Sequence, residues 1–397
     1  MSRIGIFFNA RREQGGLYQY AVTLVDCLAR YAAVHEYIVY NATLNDLALQ
    51  PRPPVVTVVD LPSSAVRLRM LAEVFWLQLA RHGYRGRGWI PEYSRLRQAR
   101  LDAVLYVKPG VHSFFWRYPN IFPVHDLQHR LQPHFPEVSA GGEFRRREYI
   151  YRNAVPAAAA ILTDSLAGKE DVVALYGADP HTVHPLPYLA STMPSHPIDP
   201  ETTRNIKDRY RLPARYFFYP AAFWQHKNHA RIIEALRLLR DEEGLRVDMV
   251  FAGGLRHEYQ ALTQLVAAYS LLDQVHFIGY VPDEDLPSLY QGADALVMPT
   301  FFGPTNIPVL EAWVMGCPVI SSDIRGIREQ VGEAGILVDP CDERQLAHAM
   351  RELYISADLR RSLAAQGRQR VAQWTPPMFT EQLESIITCA LSRGVEE

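Results

Sequence analysis

Residues 299–322 read PTFFGPTNIPVLEAWVMGCPVISS, and this stretch decides how the chain is read. The apolar run before it, Ala295–Met298, makes a short strand that ends near Pro299. Gly303, Pro304, Thr305 and Asn306 form a loop, and a helix starts at Ile307. Pro308 falls in the first turn, where a missing N–H costs nothing, and Asn306 is expected to cap the helix. The open N–H groups of such a helix start suit a phosphate or a carboxylate. Glu311 stands one turn on, four residues after Ile307. A carboxylate there can accept from two sugar hydroxyls, as acids do with ribose in dinucleotide folds. Gly316, Cys317 and Pro318 then turn the chain into the next strand at Val319. An ordinary cap with a solvent-facing Glu is the competing reading of the same residues.

Outward from this stretch, short apolar runs alternate with helical periodicity. In the second half, strands are expected at 216–219, 247–252, 275–278, 295–298, 319–321 and 336–338. Helices are expected at 228–240, 258–269, 285–292, 307–315, 343–353 and 358–372. The first half repeats the pattern, with strands at 4–8, 37–40, 55–59, 103–107, 121–124 and 161–163. Its helices lie near 66–81, 143–157 and 167–176, and Leu17, Tyr20, Leu24 and Leu28 mark another by their spacing. Pro185, Pro187, Pro194, Pro197 and Pro200 make 185–200 read as a linker. The expectation is an α/β chain of two Rossmann-like, doubly wound parallel-sheet domains facing a central cleft. The first spans 1–190, with a last helix in 376–397, begun by Pro376 and Pro377, packing back on it; the second spans 191–375.

Composition narrows the classes. The chain has 397 residues, and one core rarely grows past about 250–300, which also argues for two domains. Apolar residues make up 48% and charged residues 21%, so the chain can bury a core and is not disordered by composition. The formal net charge is −2, which is not the balance of a nucleic-acid binder. Cys27, Cys317, Cys341 and Cys389 stand far apart, excluding a disulfide-dense scaffold and a close-spaced zinc knuckle. The start is not read as a signal peptide. The longest apolar run, 154–162, is too short for a bilayer span, which needs about 20 residues. The plain expectation is the cytoplasm, with the membrane surface left open.

The 299–322 stretch resembles the signature of retaining GT-B glycosyltransferases of the glycogen-synthase-like family 4. Asn306-Ile307-Pro308-Val309-Leu310-Glu311-Ala312 and Gly316-Cys317-Pro318-Val319-Ile320 follow it closely. The resemblance implies that Glu311 binds the donor ribose and that backbone at Asn306 and Ile307 meets the donor phosphates or sugar. It also shows a departure: the first Glu of the family's pair falls on Gly303.

A second segment, 219–229, YPAAFWQHKNH, follows the first strand of the second domain. A lysine between a strand and a helix can neutralise two phosphate oxygens, and the resemblance makes Lys227 the diphosphate-binding lysine. The arginine that many relatives carry six residues earlier is Ala221 here. Gly253-Gly254 ends the strand MVFAGG, and the resemblance puts Gly254 close to the nucleotide. The segment Phe277 to Pro282 resembles the family's base-binding flank, with backbone at Tyr280 or Val281 reading the base edge. In the first domain Gly15-Gly16 opens a helix, and the resemblance brings Gly16 to the donor diphosphate. His125 follows another strand and resembles a histidine placed near the donor sugar; Asp126 is expected to fix its tautomer or meet the acceptor. Simple turns, a surface lysine and a core histidine compete with these readings. No metal site is expected. Six arginines and three aromatics against one acid, Glu92, mark 81–100 as an acceptor surface for lipid phosphates or an anionic glycan, or as a solvated face.

What the resemblance implies is a retaining glycosyltransferase with Lys227, His125 and Glu311 as its catalytic set. Its donor substrate would be a nucleoside diphosphate sugar, GDP-mannose or a UDP-sugar, with no separate cofactor. Its acceptor would be a carbohydrate or lipid-linked glycan, with peripheral membrane contact open, no nucleic acid, and an oligomeric state the residues do not disclose. An inverting transferase or nucleotide-sugar epimerase, using Asp126 as base, and a non-catalytic nucleotide-sugar binder remain as alternatives.

Overall fold

The computed structural model describes residues 1–43, 55–190, 193–194 and 196–393. The chain divides into two compact units, one of Met1–Leu189 with the segment from Thr375, the other of Ala190–Trp374.

The first unit carries a seven-stranded parallel sheet. Its strands are β1 (Arg3–Phe8), β2 (Glu36–Asn41), β3 (Val56–Asp60), β4 (Ala103–Tyr106), β5 (Asn120–Val124), β6 (Ala158–Thr163) and β7 (Val183–Pro185). They lie in the order β3-β2-β1-β4-β5-β6-β7. The run IGIFF of β1 is buried throughout, the pattern of a strand covered on both faces. Helices α1 (Gly16–Tyr31), α2 (Ser63–Arg81), α3 (Glu143–Ala154) and α4 (Leu166–Tyr176) connect the strands. The Ser165 side chain accepts from the Gly168 N–H to start α4, and Gly177 at φ 66° ends it.

The second unit holds six parallel strands: β8 (Phe217–Pro220), β9 (Met249–Ala252), β10 (Val275–Gly279), β11 (Ala295–Met298), β12 (Val319–Ser322) and β13 (Ile336–Val338). Their order is β10-β9-β8-β11-β12-β13. Counted from the first strand of the unit this is 3-2-1-4-5-6, the doubly wound order. Its helices are α5 (Pro200–Arg209), α6 (His229–Glu243), α7 (Tyr259–Ala268), α8 (Leu286–Gly292), α9 (Ile307–Val314), α10 (Arg325–Val331), α11 (Glu343–Ile355) and α12 (Ala357–Val371). The face of α6 that carries Ile232, Ile233, Leu236 and Leu239 is buried, at the spacing of three and four that marks an amphipathic helix. A last helix, α13 (Pro376–Arg393), belongs to the first unit.

Two expectations need correction. The stretch 185–200 is not structureless throughout: Pro185 closes β7, which pairs with β6 at the sheet edge, and Pro200 is the first residue of α5. Proline is tolerated at a sheet edge and favoured at a helix start, so a proline count overstates the linker. Helix α10 was not expected; at seven residues it is too short to give a clear period.

Candidate functional site

In an open α/β sheet the strand order reverses at one place, and ligands gather beyond the carboxyl ends of the strands there. In the second unit that place lies between β8 and β11, which are hydrogen-bonded neighbours. The two strongest sequence segments follow these two strands.

After β8 the chain makes a tight turn, Gln225–Lys227, and Asn228 adopts the left-handed conformation, φ 61°, before α6 begins. The Asn228 amide donates to the carbonyls of Pro299 and Pro340, each at 2.8 Å. The Phe301 N–H and the Thr300 hydroxyl both donate to the His226 carbonyl, at 2.8 and 3.1 Å. The Tyr219 hydroxyl donates to the Lys227 carbonyl at 3.0 Å. Lys227 is therefore half-buried on a turn stitched to the loop after β11. The His226 ring stacks on Phe302, centroids 4.0 Å apart at 11°. Sequence reasoning missed Asn228, although an Asn closing a turn is a known signal for that backbone conformation.

Gly253 holds φ 144°, and a Cβ there would lie 2.5 Å from the Ala221 carbonyl oxygen. Only glycine lets the end of β9 come this close to the loop after β8. At Gly254 a Cβ would meet nothing within 4 Å, so the second glycine borders open space. The Gly253 N–H donates to the Gly279 carbonyl at 2.7 Å, tying in the end of β10. Beyond it Tyr280 is 75% exposed, whereas Val281 is buried.

Helix α9 begins at Ile307, as expected, with Pro308 in its first turn. Glu311 does not face solvent: it is 3% exposed and accepts from the Tyr290 hydroxyl at 2.7 Å. Tyr290 is itself fully buried on α8, and burial beside this carboxylate pushes its phenol well above the usual range.

Asn306 departs from expectation. Its side chain does not cap α9; its amide donates instead to the Phe302 carbonyl at 3.4 Å. Its backbone is held by Gln330 of α10: the Asn306 N–H donates to the Gln330 amide oxygen and its carbonyl accepts from the Gln330 amide nitrogen, both at 2.9 Å. The Asn306 N–H is thus committed, and Gln330 braces the loop that was expected to brace itself. No signal in the sequence links residues 24 apart in this way. At Gly303 a Cβ would make ordinary contact with Ile324 at 3.5 Å, so packing does not impose the missing side chain.

The remaining candidates lie in the first unit. Gly15, φ 58°, precedes α1, and Gly16 is its exposed first residue. The His125 Nδ1 lies 2.7 Å from the Tyr188 hydroxyl, and the ring packs edge-on against Tyr20. Burial pushes the His125 imidazole down to about 4. Asp126 does not fix its tautomer. Its carboxylate accepts from Arg147 at 2.7 Å and from the Gln128 N–H at 2.9 Å, and the guanidinium holds it below the usual carboxylate range against the effect of burial. His129 turns to Glu148 and Tyr176, at 3.1 and 2.9 Å. The two histidines and the aspartate thus take three different partners. A further residue the sequence did not flag is Lys108, just past β4 and beside the first unit's own switch point. Burial lowers its amine, Glu73 favours the cation, and Arg11 and Arg146 oppose it.

These histidines carry a consequence for stability. Burial depresses His125 and His129 to about 4 and His229 to about 3. Between those values and the ordinary 6.5, the unfolded chain binds protons that the fold refuses. Stability is therefore full above pH 6.5 and falls as pH drops towards 4. Urea unfolding at pH 7.5 and pH 5 checks this: a lower midpoint at pH 5 is expected, and an equal or higher one contradicts it.

Two parallel-sheet Rossmann-like units are the architecture of the GT-B glycosyltransferases. HepE of Anabaena, crystallised in complex with UDP and glucose, superposes with TM-score 0.69 at 16% identity, covering 98% of this chain and 100% of that one. Sucrose-phosphate synthase from Thermosynechococcus elongatus superposes with TM-score 0.72 at 17% identity, covering 99% and 100%. At these identities the likeness concerns the fold. Residues 203–370, nearly all of the second unit, match the family Glycosyl transferases group 1. O-antigen chain mannosyltransferase B of Escherichia coli is 28% identical over 252 residues, 61% of this chain and 65% of that protein. Putative glycosyltransferase EpsD of Bacillus subtilis is 28% identical over 206 residues, 51% and 53% respectively. The chain thus matches less than two thirds of the length of these curated relatives.

Proposed function

We propose that the chain is a retaining glycosyltransferase moving a hexose from a nucleoside diphosphate sugar to a hydroxyl of a saccharide or lipid-linked glycan. The observation that carries this reading is the buried Glu311, one turn inside α9, at the same sheet end as the Lys227 turn. Glu311 accepts from the ribose hydroxyls, and backbone at Tyr280 and Val281 reads the base edge. Gly254 leaves room for the nucleotide. Lys227 and the start of α9 at Ile307 bind the diphosphate and stabilise the charge that grows on it as the glycosidic bond breaks. The acceptor hydroxyl attacks the anomeric carbon on the face the diphosphate leaves, and a phosphate oxygen takes its proton. The first unit supplies the acceptor side, and its His125 keeps a neutral imidazole able to hydrogen-bond sugar. The setting is the cytoplasm, where such donors are made.

Asp126 is engaged by Arg147, so it supports the inverting alternative poorly. The relatives divide over the donor: one is a mannosyltransferase by name, while HepE was crystallised with UDP. The donor is accordingly a guanosine or uridine diphosphate sugar. A thermal-shift screen with GDP, UDP and dTDP tests the reading, since a ligand at 100 times its Kd adds about 2.7 kcal/mol to the folded state. One of the three is expected to raise the midpoint, and no response to any would sink the assignment. A pure binder would shift but release no nucleoside diphosphate when given donor and acceptor.

Glu311→Ala removes the proposed ribose acceptor and leaves the Tyr290 hydroxyl buried without one. Hydrogen bonds to a charged group contribute about 1.5–3 kcal/mol, so nucleotide affinity should fall about tenfold or more. Isothermal titration of the variant with the nucleotide found in the screen measures this.

A further inference from the structure

Among the described residues, one face of helix α2 is left exposed. Leu68, Leu71, Val74 and Phe75 are exposed by 52–69%, and they stand within three or four residues of one another along the helix. Exposed side chains on a helix surface are normally polar, and a contiguous apolar face marks a surface that something covers. The face continues into the loop that follows. The Trp76 indole N–H donates to the Trp89 carbonyl at 3.1 Å, and this places Trp89, 69% exposed, beside α2. Tyr84 packs against the same Trp76 ring at 5.6 Å.

Charge surrounds this face. Residues 63–100 contain eight arginines, two glutamates and no other charged side chain. Some arginines serve the fold: Arg69 donates to the carbonyls of Pro91 and Glu92, Arg87 to Phe114 and Arg95 to Asp60. Arg67 and Arg85 are exposed, near the start of the apolar face and just past its end. At the end of α2, a hollow of about 500 Å³ is lined by Gln78, Arg81, His82, Gly141, Gly142 and Arg145. Glu143 lies beside it and is shared among Arg81, Arg146 and Arg147, so the excess charge there stays positive.

An apolar stripe with aromatics at its border and guanidinium groups around it has the chemistry of an interfacial helix on anionic lipid. Among the described residues no helix is long and apolar enough to cross a membrane, so any attachment through α2 is peripheral. We infer that α2 docks this protein on an anionic phospholipid bilayer. Leu68, Leu71 and Phe75 enter the headgroup boundary with Trp89 beside them. Arg67 and Arg85 meet lipid phosphates, and the Arg81–Arg145 hollow receives one headgroup. A second copy of the chain would cover the apolar face equally well but would gain nothing from this ring of like charge, which favours the bilayer.

The test is co-sedimentation of the full chain with two kinds of vesicle, pure phosphatidylcholine and equal parts phosphatidylcholine and phosphatidylglycerol. Binding is expected to the anionic vesicles, to weaken with added salt, and to be slight on the neutral ones. Leu71→Ser with Phe75→Ser should lower the partition coefficient about tenfold, and Arg67→Glu with Arg85→Glu by a similar factor. All four side chains are exposed, and an unchanged unfolding midpoint confirms that the fold is kept. Equal binding by wild type and both double variants, or no binding to anionic vesicles, overturns the proposal. So does a concentration-dependent dimer in gel filtration that the Ser variant abolishes, because a second copy would then cover the face. The assay reads no turnover, so its failure leaves the glycosyltransferase reading standing, and the converse holds.

Discussion

Lys227→Ala is expected to lower kcat at least about a hundredfold, the size of effect that follows loss of one preorganised charge-stabilising donor. On the proposed reading, donor cleavage gathers negative charge on the diphosphate, and the ammonium of Lys227 would be the cation that meets it. The neighbouring motif position that bears arginine in many relatives is Ala221, so no second cation in the segment shares the load. The substitution should leave the turn in place, because main chain and Asn228 hold it. The Lys227 N–H donates to the Trp224 carbonyl, the Lys227 carbonyl accepts from Tyr219, and the Asn228 amide bridges to Pro299 and Pro340. The measurement is steady-state transfer at saturating donor, with the unfolding midpoint recorded beside it. Lys227→Arg should recover part of the rate, since a charge is restored with different geometry. A kcat unchanged in the alanine variant would remove Lys227 from the site.

The elements of the second unit are legible in the sequence because their signals are local. Each strand is a short apolar run, each helix carries its own periodicity, and the switch-point segments sit directly after β8 and β11 in the chain. The place of Glu311 on α9 could be read because its offset from the helix start is fixed by one turn. Its burial could not, because that depends on Tyr290, which approaches from a different helix. Gln330 and Tyr188 were missed for the same reason: they hold Asn306 and His125 across 24 and 63 residues. Asp126 shows the opposite error. Adjacency in sequence suggested a pair with His125, yet His125 takes Tyr188 and Asp126 takes Arg147 as partner. The exposed face of α2 is not legible in the sequence, because apolar residues at helical spacing do not say which of them a neighbour covers. Only the fold shows that this helix has more apolar surface than its unit covers.

Glu384→Ala should destabilise the first unit by about 3–5 kcal/mol, a large share of the 5–15 kcal/mol that typically separates folded from unfolded domains. The reason lies in how α13 is fastened. One carboxylate oxygen of Glu384 accepts from the N–H groups of Val34 and His35, at 3.0 and 3.3 Å, and from the Tyr37 hydroxyl at 3.1 Å. The other accepts from the Ala33 N–H at 3.0 Å. A single buried side chain thus satisfies three consecutive backbone donors in the turn between α1 and β2, where no helix or sheet partner reaches them. Alanine leaves all three donors and the Tyr37 phenol without their acceptor; Ala33 and Val34 are exposed, so water replaces part of the loss there, whereas at buried His35 and Tyr37 each lost partner costs about 1–3 kcal/mol. Packing remains, since Phe379, Leu383 and Ile387 stay buried, and the Gln382 amide still donates to Pro185 at 2.7 Å. Glu384→Gln should fall between, because its amide keeps one acceptor oxygen and turns two donors towards donors. Urea unfolding followed by tryptophan fluorescence and far-ultraviolet circular dichroism would show an early transition in the alanine variant. Nucleotide binding, assigned to the second unit, should persist through it. A loss below about 1 kcal/mol would mean that water replaces the carboxylate, and that apolar packing alone secures α13.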